Sequence, residues 1–156
     1  MIPTMVDAYL RDHGLRFQHH EHGRAVAAQR LAAVEHVPGA RVAKVVVVSV
    51  DGRLALAVIS APDRVNLEAM RDMLKARDVR LVPERSFVER FWPCEAGAEP
   101  PLSMFGLPIY VDARLAREPW LLMRGGTHED AIRLDTDDWL LSERARIVDG
   151  LGMTLQ

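Results

Sequence analysis

Residues 41–60 read RVAKVVVVSVDGRLALAVIS. Two runs of branched and aliphatic residues flank Asp51-Gly52, a dipeptide that suits a tight hairpin because its central positions need positive φ. The spacing predicts strands over 42–50 and 54–59, paired antiparallel. Both runs are apolar almost without a break, so each strand needs cover on both faces. The hairpin therefore belongs inside a sheet, and the rest of the chain must supply layers around it. With 156 residues and 49% hydrophobic content, there is enough chain for one core. One domain is expected over 1–156, with its core at about 15–142.

The remaining periodicities supply those layers. A first helix opens at Thr4, read as its cap, and ends at Gly14; others cover 24–36 and 67–77, the latter capped by Asn66. A last helix follows Thr136, again read as the cap. Short strands are expected at 15–18, 79–82, 108–112, 121–123 and 131–134, with a helical turn after Pro83 and a tail at 150–156. Short strands joined by tight turns predict an α/β fold with a mixed or antiparallel sheet and helices outside it. No glycine-rich phosphate motif follows a strand, so neither a P-loop nor a dinucleotide fold is supported.

Composition narrows the functional classes. A formal net charge of -2 argues against a general nucleic-acid coat, although a local basic patch can still engage part of an RNA. No run approaches the ~20 apolar residues that span a membrane, and the first residues lack a secretory pattern. Cys94 is the sole cysteine, which suits a reducing compartment. A cytoplasmic protein without membrane contact is expected.

Chemistry points first to Lys44, one of two lysines in the chain. It precedes four valines, and alternation puts it on one face with Val46 and Val48. A lysine facing a partly dry cleft is a strong point charge for a carboxylate, phosphate or ester oxygen; at a strand end it can also snorkel into water. Residues 93–108 carry four prolines and form a rigid loop. There Gly97 permits close approach of a ligand, and the prolines stiffen the wall and leave carbonyls as acceptors. The same segment serves equally as a crossover covering a sheet edge. His128 lies in a Gly-Gly-Thr-His turn between two strands, as a site residue or as a turn histidine bonded to backbone. The crowd His19, His20 and His22 lacks a Cys-rich or HExxH partner. Cys94 reads as a structural thiol.

The segments HVPGARVAKVVVV, APDRVNLEAMRDML, CEAGAEPPLSMFGLPIYVD and GGTHEDAIRL together resemble the YbaK/prolyl-tRNA-deacylase family, the editing domain associated with aminoacyl-tRNA synthetases. The likeness runs in order from about residue 15 to 142. It implies one α/β domain on a mixed, largely antiparallel, barrel-like sheet with surrounding helices. It implies a deacylase that hydrolyses the ester of a mischarged tRNA, with a pocket for small amino acids and no cofactor or metal. The family's lysine falls on Lys44, and its GxxxP element on Gly97 and Pro101, with Ala98 and Pro100 between them as pocket residues. The glycine–histidine turn falls on Gly126 and His128, and an early substrate-binding histidine on His20 or His22. The 3′ aminoacyl end of tRNA is the implied partner, with Arg24, Arg30 and Arg41 as candidate contacts, and an aminoacyl-tRNA synthetase a further one. Two departures stand out. Ser103 occurs in a shortened loop where a glycine is expected, and Glu99 replaces an apolar residue. They keep a second reading open, a module that binds aminoacyl-tRNA 3′ ends or a related ligand without turnover. A third reading, a small zinc hydrolase, would need metal bound by the His19–His22 cluster.

Overall fold

The central hairpin forms as its pattern requires. In the computed structural model, which describes residues 1–154, β2 (Ala43–Val50) and β3 (Arg53–Ser60) pair antiparallel in the register Lys44 with Ile59 through Val50 with Arg53. Asp51 and Gly52 both take positive φ at the turn. Around the hairpin lie β1 (Phe17–Glu21), β4 (Asp63–Val65), β5 (Val79–Leu81), β6 (Ile109–Asp112), β7 (Trp120–Arg124), β8 (Asp130–Asp135), β9 (Arg146–Val148) and β10 (Gly152–Thr154). The helices are α1 (Thr4–Asp12), α2 (Ala28–Val34), α3 (Leu67–Leu74), α4 (Ala113–Ala116) and α5 (Thr136–Glu143).

The strands divide among three sheets. One has the order β5-β2-β3-β6-β9, antiparallel through β3 and parallel from β3 to β9. A second, β1-β8-β7, and a third, β10-β4, are antiparallel. The mixed, mostly antiparallel character matches expectation, but the barrel-like closure does not. Among the described residues, the two larger sheets are joined only by a single parallel bridge, Val42 with Leu122. The outer strands β5 and β9 have three residues each, too few to carry a ladder around a barrel. One face of the larger sheet is also roofed by α3, whose Met70 is buried with Val48, Ala55, Ala57 and Ile59. The other face shares its core with the second sheet: Val47, Leu56 and Val58 pack in one cluster with Leu121, Met123, Ile132 and Trp139.

Other local expectations shift for readable reasons. Asn66 caps α3 by accepting from Ala69 N–H. Thr4 and Thr136 are not caps. Pro3 precedes α1 and takes the N–H bonds of Val6 and Asp7 on its carbonyl, while the Asp135 carboxylate accepts from Asp138 N–H at the start of α5. The first strand lies later than 15–18 because Leu15 drops into the core, and His19 and His20 become paired strand residues. The tail reading fails at β10, which pairs with β4, and at Leu151, which is fully buried. Arg114 clamps this ribbon, bonding the Asp63 and Asp112 carboxylates and the Gly152 carbonyl. Residues 155–156 of that expected tail lie outside the described residues.

Candidate active site

Lys44 is held where β2 begins. Its face-mates Val46 and Val48 belong to the apolar layer beneath α3, but its own side chain reaches the turn after β3. There Nζ donates to the carbonyls of Ala61, at 3.2 Å, and Asp63. An ammonium has three donors, so one N–H remains for another acceptor. Half-burial pushes the lysine pKa down, and the Asp63 charge partly restores it.

The wall opposite is the proline-rich loop, stitched to the β7–β8 turn. Glu95 N–H bonds to Gly126 O at 2.8 Å, and Gly126 N–H returns to Ala98 O at 3.0 Å. His128 completes the seam: its N–H donates to Glu95 Oε1, and its Nε2 lies 2.8 Å from Ala96 O. That bond fixes the proton on Nε2 and leaves Nδ1 buried without a partner. Gly126 has φ +100°, and a Cβ there would stand 2.7 Å from Pro3 Cδ, so only glycine fits. Gly97 also takes a left-handed φ, +81°. The expected free carbonyls of this loop are largely used. Pro100 O accepts from Leu102 N–H, and Pro101 O from the Trp139 indole at 2.8 Å.

Between these walls lies a cleft of about 170 Å³, lined by Val26, Ala28, Ala43, Lys44, Val45, Gly97, Glu99 and Arg124. The fold thus brings Lys44 and Gly97 to one cavity. Ala98, Pro100, Pro101, Gly126 and His128 are buried behind its wall. His20 and His22 are elsewhere. His20 bonds Glu35, and His22 bonds the Gly23 carbonyl. Ser103 faces away as well, bonding Glu143 through both its N–H and its hydroxyl. Arg24 pairs with Glu95 on the loop, and Arg41 with Glu118. Arg30 is exposed and forms no ion pair among the described residues. A larger groove, 360 Å³ along Phe17, Trp120 and Arg133, shares no lining residue with the Lys44 cleft.

Two lining groups were not among the sequence candidates. Arg124 ends an apolar strand, which was its only signal; it is 6% exposed and donates to the carbonyls of Ala25 and Val26. Glu99, noted only as a departure from family pattern, is 4% exposed. Burial raises its carboxyl pKa to about 7, offset in part by the N–H groups of Gly97 and Glu99 and by Arg124. The Cys94 thiol is pushed up to about 12 by burial, which leaves no thiolate for nucleophilic attack. The histidine crowd does not converge as a zinc site. His19 instead meets Glu21 and Asp130, with ligand atoms within 4.8 Å of one another. The Asp130 carboxylate already accepts from His19, Thr127 and the Met1 ammonium. No helix among the described residues is long and apolar enough to cross a membrane.

Comparison with known proteins identifies the family and the fold. The family described as the aminoacyl-tRNA editing domain matches residues 21–141. Among curated proteins nothing matches. Solved structures do. A hypothetical protein aligns at TM-score 0.84 and 18% identity over 95% of this chain and 99% of its own. A scaffold protein from computational epitope grafting aligns at 0.80 and 22% identity over 96% of both chains. A protein proposed as a trans-editing enzyme for prolyl tRNA synthetase aligns at 0.78 and 21% identity over 92% of both. At such identities the likeness speaks for the fold.

Proposed function

The chain belongs to the aminoacyl-tRNA editing domain family, and on that premise we propose that it is a deacylase hydrolysing the ester of a mischarged tRNA. The observation that carries this reading is the shared cleft of Lys44 and Gly97. An aminoacyl ester is already activated, so its hydrolysis needs a placed water and a donor for the developing oxyanion. Lys44 has one N–H left for that oxygen after its two carbonyl bonds. Anchoring at both carbonyls supports a fixed charge rather than a roaming base. Neither a cysteine nucleophile nor a metal is needed for the step. The small cleft favours a small aminoacyl group. The tRNA body would be held through phosphates, with Arg30 the most available of the three proposed arginines. The mischarged tRNA, with an aminoacyl-tRNA synthetase beside it, and the cytoplasm are the matching partners and place.

The test is a panel of tRNAs, each carrying a correct or an incorrect amino acid. The expected result is release of a small non-cognate residue. In Lys44→Ala the rate falls about 10²- to 10³-fold, while circular dichroism and melting show a folded protein. A folded variant with undiminished turnover overturns the assignment. Binding of charged tRNA without release by the unaltered protein would favour the non-catalytic module instead.

A further inference from the structure

Glu99 lines the Lys44 cleft and is 4% exposed. Among the described residues, its carboxylate has no cation within 4.0 Å. The two cations beside it are committed elsewhere: Arg124 to the carbonyls of Ala25 and Val26, and Lys44 to those of Ala61 and Asp63. Glu84 adds a like charge nearby. A carboxylate buried without a cation costs stability unless something pairs with it. It stands on the wall where an aminoacyl group would sit, so the missing partner is a cation carried by the ligand.

We propose that Glu99 is a specificity-determining residue that binds the ammonium of the ligand's aminoacyl group, so that the cleft selects an unblocked amine. This rests on reading the cleft as an aminoacyl site. The small volume favours the α-ammonium, which lies next to the ester, over one at the end of a long side chain. Such a contact is a charge-assisted hydrogen bond, and losing it leaves the carboxylate buried and unpaired again.

The groups facing Glu99 set the pH behaviour. They are Arg124 on β7, Lys44 on β2, Glu84, the Cys94 thiol, and His128 behind Gly97. With the Glu99 pKa raised to about 7, its anion forms as pH rises through that value. The ligand amine loses its proton near 8. Affinity therefore climbs from pH 5.5 to 7.5 and falls beyond the amine pKa.

The probe is 3′-alanylamino-3′-deoxyadenosine, a non-hydrolysable mimic of a charged 3′ end, compared with its N-acetyl form by calorimetry. The unaltered protein is expected to bind the free amine at least about tenfold tighter. Glu99→Gln and Glu99→Leu are expected to erase both that preference and its rise between pH 5.5 and 7.5. A lysylamino probe separates the two amine positions: if N-acetylation at its α-nitrogen leaves affinity intact, the α-ammonium assignment is overturned. Equal binding of the two alanyl probes, discrimination retained in both folded variants, or no binding at all would each overturn the proposal. Turnover of mischarged tRNA on the same preparations keeps the two readings apart. Turnover without amine preference removes this inference alone, and amine-selective binding without turnover removes the deacylase reading alone.

Discussion

The proline-rich segment carries two kinds of end, each marked by a buried glutamate. At its far end, near residues 101–105, Glu143 accepts from Tyr9 OH at 2.9 Å, Ser103 N–H at 2.7 Å and Ser142 Oγ at 2.7 Å. Beside it, the Trp139 indole holds Pro101 O. At the near end, Glu99 is just as buried, but it is met by the backbone N–H groups of Gly97 and Glu99 alone and by no side-chain donor in hydrogen-bond contact. The same segment is thus closed by hydrogen bonds where it meets α5 and left electrostatically incomplete where it meets the cleft. A buried carboxylate tied to side chains of neighbouring elements serves architecture, while one left without a cation costs stability and marks a place held open for a partner.

Three substitutions sharpen or break that contrast. Glu143→Ala strips the acceptor from Tyr9 and Ser103 and should cost about 3 kcal/mol in urea unfolding; a loss below about 1 kcal/mol would dissolve the contrast. Glu99→Leu should act in the opposite direction. The folded-state pKa of Glu99 is raised from 4.5 to about 7, so the folded protein holds the proton more tightly. Its contribution is fully present below pH 4.5 and is lost as pH rises through about 7. The variant should therefore gain on the unaltered protein across that window, approaching about 2–3 kcal/mol at pH 8. A flat difference between pH 4 and 8 would show that Glu99 is solvated. Trp139→Phe keeps an aromatic ring but removes the bond to Pro101 O and part of a fully buried indole, for a loss of about 2 kcal/mol, read as a shift in urea midpoint without a change in slope.

Much of the scaffold was legible because it follows from local chemistry. The valine run, Asp51-Gly52 and Asn66 act within a few residues of themselves, and the hairpin and α3 formed accordingly. Lys44 and Gly97 were readable as a pair only through family resemblance, since their meeting depends on the seam between two distant loops. What could not be read depends on long-range pairing. β4 and β10 are three-residue strands with little periodicity, and each exists because the other is there. Closure of the sheet failed for a similar reason: strand lengths at its edges, and cover by α3, are properties of the assembled layers. Glu99 and Arg124 looked like ordinary charges. Their burial, and the commitment of Arg124 to two carbonyls, appear only once β7 lies against residues 25–26.

The β4–β10 ribbon bears on the cleft at a distance. Asp63 gives its carbonyl to Lys44 and its carboxylate to Arg114, and it sits opposite Thr154 in the ribbon. Gly152 leaves no room for a side chain, since a Cβ there would stand 2.9 Å from the Asp63 carboxylate. The late strand is therefore a tether for a side chain near the start of the sheet. A bulky residue at 152 would act on the lysine's aim without touching the cleft, like a wedge driven under the foot of a lamp.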